Sequence, residues 1–366
     1  MNNIISFLSS CSRGRKVALA VIFFTLHSSL FTLAGNPVLP GFHADPEVLF
    51  AEQTGKYYIY STTDGLPGWG GWTFSVFSSE DLKTWKDEGV MLDAKSSQVP
   101  WATGNAWAPC IIERKTIAAD KSVGYKYYFY FSAHNPKSNR KEISCAISDN
   151  PVGPFKALDN PIITDADRPA GVGGQAIDVD VFQDPVSGKY YLYWGNGFMA
   201  GAELNDDMVS IKPETKVNLT PKGGSLKTWA YREGAYVFYR QGKYYFMWSV
   251  DDTGSPNYHV CYGTSASPLG PISIDENHYM VISQVPDQKI YGTAHNSVIL
   301  LPSKFKKDKK GVSKVSYGDN WRIVYHRINP QFVNAGNGVP GTHREVCIDV
   351  MKFDKDGNII PVVPTN

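Results

Sequence analysis

The sequence predicts an all-β protein, and within that class a single-domain, five-bladed β-propeller. Five short apolar segments recur roughly every 62 residues, and self-similarity at a fixed period is typical of repeat architectures. A Tyr-rich segment follows four of them, and a weaker version follows the fifth. The 366 residues include 21 Tyr, 33 Gly and 23 Pro, which favours many strands and many turns, and apolar patterns with a helical period are hard to find.

The first strand of each blade is assigned to the repeated segment itself. Each segment contains a pair of apolar residues, and alignment on that pair places one residue of every segment in a single column. Equivalent strand starts of a propeller meet at one place, so the polar members of this column are expected to lie close together. The segments are HADPEVLF (43–50), WAPCIIE (107–113), IDVDVFQD (177–184), EGAYVFY (233–239) and HNSVILL (295–301), and the column holds Asp45, Ala108, Asp178, Glu233 and His295.

The turns between the repeated segments define the remaining strands. Turns that contain Gly55, Gly188 and Gly242 join a first strand to a Tyr-rich second strand, which is the chemistry of a β-hairpin. The corresponding turns of the second and fifth units are predicted to be enlarged, at 115–124 and 303–320. Three or four antiparallel strands per unit, with no crossover helices, predict a five-bladed propeller. The third strands are predicted at 74–85, 143–155, 259–272 and 345–357.

The N-terminal segment 1–34 is predicted to be a signal peptide. Basic residues precede an apolar stretch that ends in small residues at Ala34, which is the pattern of a cleavable export signal. A retained membrane anchor is the alternative, but the polar break at 25–29 favours cleavage. We therefore expect an exported protein, periplasmic or extracellular, with no membrane attachment after cleavage and with one propeller domain over 35–366.

The charge and the cysteine spacing argue against nucleic-acid binding and against a framework of disulfide bonds. The net charge is +1, whereas nucleic-acid binding needs clustered, uncompensated positive charge, and the one basic run at 304–314 is interpreted as a solvated hairpin. Widely spaced cysteines in apolar, strand-like runs do not resemble a disulfide framework, and small buried thiols behave as hydrophobic residues. Free thiols are therefore expected at Cys110, Cys145, Cys261 and Cys347.

Asp45, Asp178 and Glu233 are the candidate catalytic residues. Residues that start the innermost strands of a propeller open into a shallow pocket on one face of the disc. Three acids converging there indicate cleavage of a glycosidic bond, in which a protonated carboxyl donates to the leaving oxygen and a carboxylate activates water. Asp180 is the alternative to Asp178, since residues i and i+2 of a strand face the same side. Glu47 is expected deeper, in a salt bridge or a hydrogen-bonded channel role.

The ordered motifs of the chain resemble the signatures of glycoside hydrolase family 43, from about Asn36 to the C-terminus. Two positions depart from the pattern, since family members often have Pro where this chain has Val179 and Ala235. The resemblance implies a five-bladed propeller that inverts the anomeric configuration and acts mostly on α-L-arabinofuranosides and β-D-xylosides of plant polysaccharides. The motifs are GFHADP (41–46), WAP (107–109), Ile-Asp followed by Val-Phe (177–182), REG (232–234) and GTAH (292–295).

The resemblance also implies roles for individual residues. It implies that Asp45 is the general base, Glu233 the general acid, and Asp178 the aspartate that raises the pKa of the acid and orients it. Arg344 resembles the substrate-contacting arginine of the family, with a surface arginine as the alternative. Trp107 is expected to stack on the C–H face of a sugar, although core packing is the default for Trp. The sugar pocket is further expected to include His43, Trp69, Trp72 and the loop at Asp64.

His295 closes the column on the fifth blade. By resemblance it lies near the channel axis and touches a hydrated calcium ion, which would be structural. Calcium prefers oxygen ligands and a lone imidazole is a poor site, so a structural histidine that holds water or a strand end is the alternative. The chemistry itself is expected to need no cofactor.

The predicted function is that of an inverting exo-glycosidase. It would remove terminal α-L-arabinofuranosyl residues from plant-type polysaccharides or oligosaccharides, which are the expected partners. One alternative has the same mechanism and a different sugar, as in a β-D-xylosidase or a galactofuranosidase. Another is a carbohydrate-binding propeller without catalysis, which the three intact acids disfavour because a binder needs no desolvated carboxyl.

Overall fold

The computed structural model describes residues 30–32, 35–118, 120, 122–309, 311–333 and 341–366. These residues form five antiparallel sheets, each built from consecutive segments of the chain. Within each sheet the strands lie side by side in chain order, apart from the N-terminal strand at the edge of the first sheet. The sheets are the five blades, so the predicted all-β, five-bladed propeller is confirmed.

Four blades contain four strands and blade 1 contains five. The extra strand of blade 1, β1, pairs with β5 at the outer edge of the blade. The strands are β1 (Leu30–Thr32), β2 (His43–Ala51), β3 (Lys56–Thr63), β4 (Thr73–Ser79) and β5 (Thr84–Asp93) in blade 1; β6 (Trp107–Ile117), β7 (Val123–Asn135), β8 (Arg140–Ser148) and β9 (Lys156–Ala157) in blade 2; β10 (Asp180–Gln183), β11 (Tyr190–Trp194), β12 (Ala200–Glu203) and β13 (Val217–Asn218) in blade 3; β14 (Glu233–Arg240), β15 (Lys243–Val250), β16 (His259–Ser265) and β17 (Met280–Ile282) in blade 4; and β18 (Tyr291–Lys307), β19 (Ser313–Ile328), β20 (Arg344–Phe353) and β21 (Ile359–Ile360) in blade 5.

Helical structure in the described residues is limited to single 3₁₀ turns between strands. None of the described helices is long and apolar enough to span a bilayer. The turns are Pro67–Trp69, Asp165–Asp167, Pro213–Thr215, Pro286–Gln288 and Pro330–Phe332.

The enlarged turn predicted in blade 5 is largely regular structure. Strands β18 and β19 continue as a ladder out to the pair Lys307–Ser313, so the basic run forms the end of a long hairpin. The ring of Phe305 packs edge-on against Phe50 of blade 1, with 5.4 Å between centroids. Through this contact, an apolar residue within the basic segment anchors the hairpin to the neighbouring blade.

The core lies between blades, where the apolar faces of adjacent sheets pack on each other. Trp85, Trp194 and Trp248 are fully buried in these interfaces. One interface, for example, places Tyr130 of blade 2 in the same apolar cluster as Trp194 of blade 3. The cysteines predicted to be free thiols are buried and unpaired, which confirms that prediction for Cys110, Cys145, Cys261 and Cys347.

The ring of blades is closed by the segment that precedes β2, which bonds to β20 of blade 5. The amide of Val38 donates to the carbonyl of Val346 on β20 at 2.8 Å. The Asn36 side chain bonds the backbone of Ile348 in both directions, donating at 3.2 Å and accepting at 2.8 Å. We call residues 36–39 the clasp, because they join the first blade to the last one.

Candidate active site

At or just before the start of each innermost strand, one residue lies in the left-handed region of backbone conformation, and in blades 1, 2, 4 and 5 it lies within a β-bulge of the strand pairing. The φ angle is 50° at Asp45, 59° at Asp178 and 47° at His295. Aspartate and glycine tolerate positive φ better than most residues, which fits their use here. The bulges turn these side chains towards one end of the central channel, and Ala108 and Gly234 occupy the same position in the two remaining blades.

The amides of four bulges are held by side chains from the second strand of the preceding blade. A bulge leaves an N–H group outside the strand ladder, and a buried N–H without a partner is costly. The side-chain acceptors therefore tie each blade to its neighbour at the edge of the site. The bonds are Ala108 N to Thr62 Oγ1 (2.8 Å), Asp178 N to Ser132 Oγ (3.1 Å), His295 N to Ser249 Oγ (3.0 Å) and Asp45 N to His326 Nδ1 (3.1 Å).

The alignment of Glu233 with Asp45 and Asp178 is wrong by one residue. The bulge position of blade 4 is Gly234, with φ of 63°, and Glu233 pairs with Ser249 directly before the bulge. Trp107 holds the equivalent position in blade 2. The error arose because Tyr236 was taken as the first apolar residue of the pair. In the other blades that apolar residue lies three positions after the residue with positive φ, and in blade 4 the residue three positions after Gly234 is Val237.

All three candidate carboxylates nevertheless line a single cavity of about 250 Å³. Each of them is less than 10 % exposed. The cavity also contains aromatic, amide and guanidinium groups, which together form a small polar pocket with aromatic walls. Its lining residues are Asp45, Trp69, Trp107, Gln175, Ile177, Asp178, Asn196, Arg232, Glu233, Asp252, Thr253, His295 and Arg344.

Asp45 is surrounded by donors and cationic groups. Its carboxyl accepts from Thr62 Oγ1 at 2.8 Å and from Arg344 Nη1 at 3.0 Å, and His295 Nδ1 lies 3.2 Å away. Burial alone would raise the pKa of Asp45, but the Arg344 guanidinium and the His295 and His326 rings hold it well below its ordinary value. Asp45 is therefore ionised throughout the neutral and mildly acidic range.

Glu233 is held through both of its carboxyl oxygens. Tyr258 donates its hydroxyl proton to Oε1 at 2.8 Å, and the Asn196 amide donates to Oε2. Burial raises the pKa of Glu233, opposed by the nearby His295 ring and by the Tyr258 hydrogen bond. The carboxyl is thus buried and can retain a proton at a higher pH than an ordinary glutamate.

Asp178 and Glu233 form a pair of interacting buried acids. Burial raises the pKa of Asp178 well above its ordinary value, and the negative charge of Glu233 raises it further, while the amide of Gly234 donates to Asp178 and opposes the shift. Two such groups cannot both ionise easily, so the pair retains one proton across a wide pH range and titrates as a unit. The site therefore combines a stored proton with Asp45, whose lowered pKa favours the carboxylate.

Arg344 is buried rather than on the surface, which excludes the surface-arginine alternative. Its Nε donates to Asp64 Oδ2 at 2.9 Å, and its Nη1 donates to Asp45. The guanidinium also lies over the ring of Trp69, 5.3 Å from the centroid. The loop at Asp64 thus contributes by holding Arg344 in place within the cavity wall.

Trp107 lines the cavity as predicted, but two of the other expected pocket residues do not. His43 is packed edge-on against Phe77, and burial lowers its pKa to about 4. The ring of Trp72 lies under the Lys95 ammonium at 3.7 Å. The expectation that His43 and Trp72 contact substrate is corrected accordingly, because neither belongs to the cavity wall. His43 lies two residues before Asp45, and its ring is hydrogen-bonded to Ser61 Oγ of the neighbouring strand at 3.1 Å.

Asp180 and Glu47 are buried in the channel wall, and neither lines the cavity. Asp180 accepts from the amide of Val237 at 2.8 Å, and burial raises its pKa to about 7. Burial raises the pKa of Glu47 well above its ordinary value, and Asp180 adds to that shift. Between Asp178 and its alternative, only Asp178 is next to Glu233 in the cavity.

His295 lines the cavity but is not surrounded by a calcium donor set. Its Nδ1 faces Asp45, whose other contacts include the Arg344 guanidinium. Across the described residues, no group of three or more His, Cys, Asp or Glu side chains is placed to hold a metal ion. Calcium takes six to eight oxygen ligands, so these side chains alone do not fit it.

Several residues in the cavity or in contact with its acids were not identified from the sequence. Asn196 and Tyr258, the two partners of Glu233, lie in loops outside the repeated segments, and no local pattern marks them. Arg232 directly precedes Glu233 and pairs with Asp252 at 3.0 Å. His326 lies in the weak fifth Tyr-rich segment (321–327), and its place in that repeat was the one signal that could have connected it to Asp45.

The sequence model described as "Glycosyl hydrolases family 43" matches residues 34–359. The β-D-galactofuranosidase xynD of Aspergillus niger is 35 % identical over 335 residues, which cover 90 % of this chain and 85 % of that protein. A xylosidase/arabinosidase of Bacteroides ovatus is 27 % identical over 371 residues, covering 89 % of this chain and 96 % of the relative.

A solved structure has the same fold. It is a family-43 β-xylosidase/α-arabinofuranosidase from a compost microbial metagenome, in complex with xylotriose and in a calcium-free form. The TM-score is 0.67 at 23 % identity, and the match covers 91 % of this chain and 98 % of that one. With the family model matched over nearly the whole chain, this protein belongs to glycosyl hydrolase family 43 and is a glycoside hydrolase.

Proposed function

We propose that this protein is an inverting exo-glycosidase that removes terminal α-L-arabinofuranosyl residues from plant-type polysaccharides or oligosaccharides. The observation that carries the proposal is that carboxyl groups lining one cavity have their pKa values shifted in opposite directions. Asp45 has its pKa held well below the ordinary value, whereas the Asp178–Glu233 pair has raised pKa values. Carboxyl groups whose surroundings push their pKa values apart are the requirement for acid and base chemistry at one pH.

In the proposed reaction, Glu233 gives its proton to the glycosidic oxygen as the bond from that oxygen to the anomeric carbon breaks. A water molecule attacks the anomeric carbon from the opposite face and passes a proton to Asp45, so the configuration inverts. His295 contacts Asp45, and its ring lies beside Gly234, the residue next to Glu233. Inversion requires the Asp45 and Glu233 carboxyls to be far enough apart for a water molecule. Burial is the largest cause of the raised pKa of Glu233, and Asp178, the buried acid that interacts with it, is assigned the role of helping it to keep its proton. No step involves a metal ion.

Exo action is supported by the size of the cavity. Its volume of about 250 Å³ lies below the roughly 300–1,000 Å³ of pockets for drug-sized ligands. A cavity of this size suits one sugar residue and leaves the rest of the chain outside. Trp107 and Trp69 supply apolar faces for a ring, and Arg344 and Asn196 supply donors for hydroxyl groups.

A terminal β-D-galactofuranosyl residue is the second candidate substrate. The A. niger relative, at 35 % identity, is named as a β-D-galactofuranosidase. A β-D-xylosyl residue remains the third candidate, in line with the xylosidase/arabinosidase of B. ovatus. The first two sugars share a five-membered ring and differ in the exocyclic group that it carries. The pocket must therefore distinguish them by contacts with that group.

A panel of p-nitrophenyl glycosides tests the sugar. We expect the largest kcat/KM for the α-L-arabinofuranoside, with the β-D-galactofuranoside and the β-D-xyloside as comparisons. A larger kcat/KM for either comparison substrate would replace the proposed sugar. Proton NMR of the first-formed anomer tests the mechanism separately, and a product of retained configuration would overturn the assignment of Asp45 as base. Asp45→Asn is the control for background hydrolysis.

A further inference from the structure

The guanidinium group of Arg232 has one nitrogen that is paired and one that is not. Its Nη2 donates to Asp252 Oδ2 at 3.0 Å, whereas its Nε is buried and has no hydrogen-bond partner among the described residues. A buried donor on a charged group is costly when it has no acceptor, and nearly all buried polar groups of native proteins have a partner. The unpaired Nε of Arg232 therefore needs an explanation.

This unpaired nitrogen lies close to the candidate general acid. Arg232 Nε is 4.0 Å from Oε2 of Glu233, about 1 Å longer than a hydrogen bond. Both residues line the cavity, and they are adjacent in the chain. The backbone of Arg232 is fixed on both sides, because its amide donates to the carbonyl of Ser249 at 3.0 Å and its carbonyl accepts from the amide of Gly197 at 2.7 Å. The donor is thus held beside the carboxyl without bonding it.

The Glu233 carboxyl can accept a further hydrogen bond once it is ionised. A carboxylate has about four acceptor positions on its two oxygens. Tyr258 occupies one position on Oε1, and Asn196 occupies one on Oε2. When Glu233 gives its proton to the glycosidic oxygen, the carboxylate that remains carries a full negative charge and attracts a cationic donor more strongly than the neutral acid does. The distance of 4.0 Å to Arg232 Nε should therefore shorten as the proton leaves.

We propose that Arg232 is a positioning residue whose Nε bonds the Glu233 carboxylate as it forms during proton donation. This inference rests on the proposed role of Glu233 as general acid. A donor that is unpaired before the reaction and paired after it favours the transition state over the bound substrate, which is what accelerates the chemical step. Burial raises the pKa of Glu233, and the positive charge of Arg232 is one of the effects that oppose this shift. The other charged or titratable groups near Glu233 are Asp178, Asp45, His295 and Tyr258.

The ion pair with Asp252 does not prevent this movement. The side chains of Arg232 and Asp252 are 41 % and 59 % exposed. Exposed ion pairs contribute little to stability, so the guanidinium can move towards Glu233 at small cost. The negative charge of Asp252 also partly neutralises that of Arg232, so loss of Asp252 should strengthen the effect of Arg232 on Glu233.

Arg232→Met tests the proposal, because it removes the charge and the donor and keeps an unbranched side chain. The Glu233 carboxylate loses a stabilising group, so its pKa rises and the alkaline limb of the kcat/KM profile moves up by about one pH unit. At the pH optimum, kcat should fall about tenfold for glycosides with poor leaving groups and less for activated aryl glycosides, with KM little changed. Arg168→Met is the matched control and should leave the profile in place, because Arg168 also pairs with an aspartate at 3.0 Å but does not line the cavity.

Asp252→Asn is the second variant, and it should act in the opposite direction. It keeps Arg232 and removes the negative charge that neutralises it, so the pKa of Glu233 falls and the alkaline limb moves down. If the Arg232–Asp252 pair has no part in the reaction, both variants leave the limb in place. If Arg232 only contacts the sugar, Arg232→Met raises KM and leaves the limb in place. Either of these results would overturn the proposal.

A double variant tests whether Arg232 acts through the Glu233 carboxylate. On phenyl glycosides, Arg232→Met should lower kcat in the unaltered enzyme and cause no further loss in Glu233→Gln, because the amide forms no carboxylate. An equal loss in both backgrounds would contradict the proposal.

Glu233→Gln by itself tells failure of this inference apart from failure of the proposed function. It should lose about 10²–10⁴-fold on poor leaving groups and much less on activated aryl glycosides. If that dependence on the leaving group is absent, the assignment of Glu233 as the acid is wrong. If it is present and Arg232→Met leaves the alkaline limb unmoved, only the role of Arg232 fails.

Discussion

Asp45 and Asp178 occupy equivalent bulges, yet their surroundings drive their pKa values in opposite directions. Asp45 has the Arg344 guanidinium at 3.0 Å, which favours the carboxylate. Asp178 has Glu233 as its charged neighbour, which disfavours it. Identical residues at identical backbone positions thus become an ionised base and part of a proton-storing pair, because the neighbouring blades supply different side chains.

Asp178→Asn tests this account through pH dependence. Because Glu233 raises the pKa of Asp178, the interaction between the two buried acids should act on Glu233 in return. Replacing Asp178 with a neutral amide should therefore lower the pKa of Glu233 and move the alkaline limb of the kcat/KM profile to lower pH. The acidic limb should stay in place, since Asp45 remains ionised well below pH 4 by virtue of its lowered pKa. The measurement is kcat/KM for an aryl glycoside across the pH range.

Asp180→Asn is the matched control for that experiment. Asp180 is the same residue type on the same blade, but it bonds the amide of Val237 in the channel wall and does not line the cavity. We expect the alkaline limb of the kcat/KM profile of Asp180→Asn to lie at the same pH as that of the unaltered enzyme. A downward shift for Asp180→Asn, with none for Asp178→Asn, would exchange the roles of the two residues.

At the scale of the element, the repeated bulge is what brings distant residues into one site. The repeated apolar pairs were sufficient to predict the strands and to place Asp45, Asp178 and His295 at equivalent positions. They misplaced Glu233 by one residue, because a pattern of apolar residues does not reveal which backbone position needs positive φ. Gly234 was the available signal, since glycine favours that conformation.

Ser132→Ala tests the contribution of a bulge bond to stability. The Ser132 hydroxyl, fully buried, accepts from the amide of Asp178 at 3.1 Å. Its removal leaves that amide without a described acceptor and should lower the free energy of unfolding by about 1–3 kcal/mol. Chemical denaturation measures the loss. Ser138→Ala, at an exposed hairpin turn, is the control and should change the free energy by less than about 0.5 kcal/mol.

A loss for Ser132→Ala no larger than that for Ser138→Ala would mean that the bulge amide finds another partner. In that case, the inter-blade bonds could not be what holds Asp178 in position. Activity provides a second readout, because displacement of Asp178 should also move the alkaline limb downward, in the same direction as Asp178→Asn.

At the scale of the whole molecule, the sequence predicted the number of blades and most of the strands, but not how the ring closes. The clasp pairs with β20, a strand that lies more than 300 residues further along the chain. No local pattern connects such distant segments. The same limit applies to Asn196, Tyr258 and His326, which reach the site through the packing of blades rather than through a motif.

We propose that the protein is exported and that segment 1–34 is removed. Most of that segment lies outside the described residues, and Leu30–Thr32 forms the additional edge strand of blade 1. A cut after Ala34 would leave blade 1 with four strands, like the other blades, and would retain the whole clasp. Mass spectrometry of the exported protein should therefore show a chain that begins at Gly35. A chain that retains 1–34 would favour the membrane-anchor alternative.

The clasp should be important for the stability of the entire ring. Leu39 is 1 % exposed and packs in an apolar cluster that joins residues of blade 1, such as Val48, to residues of blade 5, such as Val346. Leu39→Ala should lower the free energy of unfolding by about 2–5 kcal/mol, since the neighbouring sheets cannot easily close around the cavity that it creates. Val363→Ala, at a site 68 % exposed, is the control and should have little effect. Thermal and chemical unfolding would measure both variants, and a similar loss for the two would show that the ring does not depend on the clasp for closure.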